Sequence, residues 1–112
     1  MAAFRVFLVI IILVVGTYTS VVIVDHGINL FPAFFGDMAK LAWPGQFNLD
    51  FMCLLMLSGL WVAWRHGFSG GGVALGVLAF LLGAPFLSGY LLVASIQVKG
   101  EVRALLLGAE RV

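Results

Sequence analysis

Apolar residues along this chain fall into long blocks separated by short charged punctuation. From Gly70 to Ile96, 27 residues carry no charged side chain. A hydrocarbon layer about 30 Å thick is spanned by roughly 20 apolar helical residues, so this block is long enough to cross a bilayer. An earlier block, Val6 to Val24, follows Arg5 and stops at Asp25-His26-Gly27. Its apolar length exceeds the roughly 7–15 residues of a signal-peptide core and no small-x-small site follows, so an uncleaved first span over residues 6–24 is expected. Gly27 suits the left-handed position after a helix, and His26 sits where the helix dipole favours positive charge.

The third block, Phe51 to Trp64, is short at 14 residues, about 21 Å of helix. Extended back to Phe47 it becomes a workable span over residues 47–64. Asn48 is then the expected N-cap and Asp50 a first-turn acid. Trp61, Trp64 and Arg65 mark the far end as an interface belt with an anchor, and Gly67 closes the helix. Gly70-Gly71-Gly72 reads as a tight link into a span over residues 73–96, kinked at Pro85. Gly72, Gly76, Ala79 and Gly83 recur at spacings of 4, 3 and 4 on one helix face, where another backbone can approach. Gly16-x-x-x-Ser20 and Ser58-Gly59 offer mates for that face.

Between the first two spans, Leu30, Phe31, Phe34, Phe35, Met38 and Leu41 repeat with helical period, with Asp37 and Lys40 opposite. An amphipathic helix over residues 29–42, lying in the membrane interface and ended by Trp43-Pro44-Gly45, is expected. Residues 101–112 repeat the pattern weakly through Val102, Leu105, Leu106 and Ala109. The expected fold is therefore all-α: a single domain of three transmembrane helices with an interfacial amphipathic helix between the first and second.

Composition agrees. The 112 residues are 63% hydrophobic and 10% charged, with net charge +1 and mean hydropathy +1.19. Soluble domains carry about 25% charged residues. The charge balance offers no basic patch for nucleic acid, and the lone Cys53 has no partner for an intrachain disulfide. Three crossings would place Arg5, Arg65 and His66 on one side. Asp25, Asp37, Asp50, Glu101 and Glu110 would lie opposite, with Lys40, Lys99, Arg103 and Arg111. Orientation follows Lys and Arg near span ends. Their raw count favours the second side inside, but Arg5 and Arg65 flank their spans tightly. The expectation is a cytoplasmic N-terminus and an external C-terminus.

Candidate chemistry is sparse. His26 and His66 follow successive spans and fall on opposite faces, too far apart to share a metal or a haem iron. His26 remains a candidate single ligand to a pigment or haem, against the plain reading of a helix-end residue. Asp25, His26, Asp37, Asn48 and Asp50 share one face, and an ionisable group at membrane depth is a functional candidate. Caps and wet interface positions explain the same residues more simply. Metal-ligand spacing is absent. Ser20, Ser58, Ser88 and Ser95 read as small membrane residues bonding their own helices. Gly-x-Ser-x-Gly is missing, and the Gly70 to Gly72 run lacks the Lys-Ser/Thr of a phosphate cradle. Trp43 joins Trp61, Trp64 and Arg65 as an interface anchor.

Trp43-Pro44-Gly45-Gln46-Phe47-Asn48-Leu49-Asp50-Phe51, followed by Leu60-Trp61-Val62-Ala63-Trp64-Arg65, resembles small uncharacterised bacterial multi-span proteins in which an Asp opens a span ending in a Trp/Arg interface. The resemblance covers the second and third spans. It implies a bacterial inner membrane and brings no activity with it. The expected role is a non-enzymatic accessory subunit, with no assigned cofactor, that contacts lipid and packs against a larger complex or itself through the Gly72–Gly83 face. Two other readings stand beside it: a pigment-, quinone- or lipid-binding subunit of a photosynthetic or respiratory complex, and a homo-oligomeric ion or proton pathway through Asp50.

Overall fold

The computed structural model describes residues 1–108; Ala109, Glu110, Arg111 and Val112 lie outside the described residues. Among the described residues six helices follow one another: α1 (Ala2–His26), α2 (Phe31–Ala39), α3 (Trp43–Arg65), α4 (Gly70–Leu82), α5 (Ala84–Gln97) and α6 (Val102–Leu107). Only α1 and α3, with 25 and 23 residues, are long and apolar enough to cross a membrane. They measure about 37 and 35 Å at about 1.5 Å per residue. The bundle is 46 Å long and 27 × 23 Å across.

The expected third span is not one helix. Gly83 has φ +72 and ψ −145, a backbone state that glycine adopts without strain. The chain reverses there, and Pro85 falls in the first turn of α5, where its missing N–H costs nothing. A proline expected to kink a long helix instead helps to start a new one. Helices α4 and α5, about 20 and 21 Å long, form a hairpin whose two feet share one end of the bundle. Contacts fix that direction. Gly72 lies against His66 and Ala63, Gly76 against Gly59, and Gly83 against Leu55 and Phe51, so α4 runs antiparallel to α3. On the return, Arg5 bonds Ser95 and Gly100 lies against the Met1 side chain, so α5 runs antiparallel to α1. The segment after α5 therefore sits at the same end as Met1, not at the opposite end as three crossings would require.

The small-residue face is used within the chain. Gly72, Gly76, Ala79 and Gly83 are all buried. A Cβ on Gly76 would lie 2.6 Å from the Gly59 carbonyl oxygen, and one on Gly59 would lie 2.7 Å from that of Gly76. The two backbones meet glycine to glycine, with Ser58-Gly59 supplying the mate and α3 filling the face.

Other starts and stops also differ from expectation. Ser69, not the glycine triplet, sets the boundary of α4: its Oγ accepts from the Gly72 N–H at 3.1 Å, and Gly70 to Gly72 form the first turn. Trp43-Pro44-Gly45 begins α3 instead of ending α2, with proline again in the first turn. Asn48 is consequently inside α3 and caps nothing. Gly27 and Gly67 do stop α1 and α3, at φ +83 and +64.

Candidate functional site

The last turn of α3 delivers Arg65 and His66 to the end of the bundle where the α4–α5 hairpin has its feet. The hairpin brings Tyr90 of α5 to meet them. Arg65 Nη1 donates to the Tyr90 hydroxyl at 2.9 Å, and that hydroxyl lies 2.7 Å from His66 Nε2. A guanidinium can only donate. The Tyr90 hydroxyl therefore accepts from Arg65, and it shares one further hydrogen bond with His66 whose direction follows the His66 tautomer. The guanidinium carbon also stands 5.6 Å from the Tyr90 ring centroid, a cation–π distance. Trp61 meets the same ring edge-on and Phe86 stacks on it.

Arg65 and Trp61 also hold α6. Arg65 Nε donates to the Leu105 carbonyl at 2.7 Å, Nη2 to that of Ala104 at 3.4 Å, and Trp61 Nε1 to that of Leu106 at 3.1 Å. The Leu105 and Leu106 carbonyls are ones that a helix leaves unpaired in its last turn, whereas that of Ala104 also accepts from the Gly108 N–H at 2.8 Å. Gly108 passes so close that a Cβ there would lie 2.8 Å from the Arg65 carbonyl. At the same end, Arg5 donates from Nε and Nη2 to the hydroxyl and carbonyl of Ser95, both at 3.0 Å. Ser95 also bonds its own helix at Leu92, as expected for a small membrane residue, while serving as the latch for α1.

Beside the Arg65–Tyr90–His66 chain runs a cleft of about 590 Å³ along α5. Arg65, His66, Tyr90 and Gln97 supply its polar groups, and Leu75, Pro85, Phe86 and Val93 its apolar ones. Gly89 leaves it open: a Cβ there would meet nothing within 4 Å.

The residues singled out from sequence sit mostly at the opposite end. Asp25 and His26 are exposed at the end of α1 and border a shallow groove with Tyr18. His26 and His66 stand at opposite ends of the bundle. Asp37 pairs with Lys40 at 3.9 Å. No group of three metal-ligating side chains occurs among the described residues. Asn48 Nδ2 donates to the Phe34 carbonyl at 3.1 Å and ties α2 to α3. Asn48→Ala should cost about 1 kcal/mol, the net worth of one such bond, read as a lowered midpoint in detergent-dependent unfolding; an unchanged midpoint would contradict the tie. Asp50 is exposed on the flank of α3 and has no ion pair or hydrogen bond among the described residues. Trp43 is 71% exposed and leans on Phe47, whereas Trp64 is 37% exposed.

Tyr90 and Ser69 were not singled out from sequence. Ser69 had a readable signal, a serine immediately before a helical apolar run. Tyr90 had none, since its role depends on the reversal at Gly83. No protein-family model, curated protein or solved structure matches this chain.

Proposed function

We propose that this chain is a non-enzymatic accessory subunit of a bacterial inner membrane, inserted through α1 and α3. The observation that carries this reading is Asp50. Counting the roughly 20 residues of a span back from Trp64 reaches Gly45, so Asp50 falls about 8 Å inside the apolar layer. It stands exposed there beside Phe47 and Leu54. A carboxylate facing hydrocarbon is costly and calls for a partner, which a second subunit supplies. The polar side chains elsewhere support a scaffold: Arg5, Asn48, Trp61 and Arg65 tie helices together. Because α3 fills the Gly72–Gly83 face, association uses the Asp50 flank instead.

In this reading α2 lies at the interface beyond α1 and α3, with Phe31 and Phe35 toward lipid. The α4–α5 hairpin enters the layer and returns. Arg5, Arg65, Lys99 and Arg103 then share one side against Lys40 on the other, which makes the first side cytoplasmic. The N-terminus keeps its expected place and α6 joins it.

The test is gentle extraction from the native membrane. The wild-type chain should migrate in a defined oligomer or complex with constant stoichiometry in two mild detergents. Asp50→Leu should release a folded monomer. A wild-type monomer, or an Asp50→Leu complex of unchanged size, would overturn the proposal.

A further inference from the structure

We infer that the cleft along α5 is a binding site for an anionic phospholipid of the leaflet next to Arg65. The inference goes beyond the accessory role and does not depend on a partner at Asp50. It rests on the polarity of the cleft, its length, its charge and its open floor. Pro85 and Gln97 bound it along α5, 12 residues apart, or about 18 Å. That is close to half of a bilayer about 40 Å thick with its headgroup regions included, the depth of one leaflet.

The polar groups begin at Tyr90, and the tip side of it is wholly apolar. Phe86 and Pro85 lie toward the tip of the hairpin, which is packed on Leu55 and Phe51. Arg65, His66 and Gln97 lie toward the feet. An acyl chain fits the first part and a headgroup the second. A quinone head needs polar contacts at both of its opposed carbonyls, and between Tyr90 and the tip the cleft offers only apolar side chains.

The headgroup end is cationic. Arg65 spends three of its five N–H groups on Tyr90, Leu105 and Ala104, which leaves two for a phosphate. His66 lines the cleft beside Arg65 and shares the Tyr90 hydroxyl with it. Among the described residues, Arg5, Lys99, Arg103 and the amino terminus share this end with one acid, Glu101. Arginine suits a phosphate because its planar fork can donate two bonds at once. Gly89 gives the chain its path, since a side chain at that position would project into unfilled space.

The full chain, purified in mild detergent, is equilibrated with an equimolar mixture of phosphatidylglycerol and phosphatidylcholine carrying identical acyl chains. Retained lipids are counted by native mass spectrometry. One phosphatidylglycerol per chain should persist, favoured about tenfold over phosphatidylcholine, equivalent to about 1.4 kcal/mol. Gly89→Leu should block the path and abolish retention with no loss of thermal stability, because the site has room and leucine is the better helix former. His66→Asp, at an exposed position, should keep the fold and lose the preference for phosphatidylglycerol. Equal retention of the two lipids by the wild type would overturn the inference. So would a phosphatidylglycerol preference that survives in either variant.

Discussion

Gly76→Ile is expected to force α4 away from α3 and to cost about 3 kcal/mol or more of stability. A Cβ at Gly76 would lie 2.6 Å from the Gly59 carbonyl oxygen and 3.2 Å from the Ala63 methyl. The first of these is backbone inside a 23-residue helix and cannot rotate aside. Relief requires the helix axes to separate, which opens the whole seam from Gly72 to Gly83. Overpacking a fitted core costs about 1–3 kcal/mol where side chains can adjust; here the obstacle is main chain. Two comparisons isolate the cause. Gly16→Ile adds the same bulk to α1, where a Cβ meets nothing within 4 Å, and should leave the midpoint of denaturation unchanged. Gly59→Ala and Gly76→Ala obstruct the same contact, so the double variant should lose clearly less than the sum of the two. A Gly76→Ile chain as stable as wild type would mean that the two helices do not meet at these glycines.

The same seam marks what the sequence made legible. The spacing of Gly72, Gly76, Ala79 and Gly83 identifies a packing face, and Ser58-Gly59 was among its possible mates. Periodicity identifies a face without saying whether the occupant comes from the same chain or from another. A separate partner is the natural expectation when residues 73–96 are one span, because a straight helix exposes its whole face to the membrane. Once the chain turns at Gly83, α4 is a short arm lying on its predecessor, and the occupant is α3.

Proline position explains the larger differences. Both Pro44 and Pro85 lie in the first turn of a helix. A proline at that point has the same local signature as one that terminates or kinks a helix, since in each case the i−4 hydrogen bond is missing. Read as a terminator, Pro44 detaches Trp43 to Gln46 from α3; read as a kink, Pro85 merges α4 with α5. Gly83 would have resolved the second case, but its place in the small-residue stripe already accounted for it. By contrast, Gly27 and Gly67 follow continuous apolar helices with polar residues at their ends, and both stops were legible. The Arg65–Tyr90–His66 chain was beyond reach from sequence. Residues 65 and 90 meet only because the hairpin doubles back.

The second large effect concerns sidedness. If α1 and α3 cross the membrane as proposed, doubling back at Gly83 reverses the compartment of everything after α5 compared with three crossings. Among the described residues, Lys99 and Arg103 join Arg5 and Arg65, and these four cations stand against Lys40. The positive-inside rule, divided when the spans were three, then gives one answer. Met1 and Gly100 are in contact at this end, so no rearrangement of α6 alone could carry the C-terminal segment across. Breaking the hairpin open into a continuous span would require Gly83 to leave its positive φ and Arg5, Ser95, Arg65 and Tyr90 to give up their mutual bonds. These local preferences and long-range ties act together, so the reversal should persist in the membrane.

The most direct measurement is therefore a pair of reporters fused after Val112 in bacterial cells: a fluorescent protein that matures only in the cytoplasm and a phosphatase active only in the periplasm. Two spans with a returning hairpin predict bright fluorescence and no phosphatase activity. An active phosphatase with a dark fluorescent fusion would mean that residues 73–96 cross as a single helix, and would contradict the account.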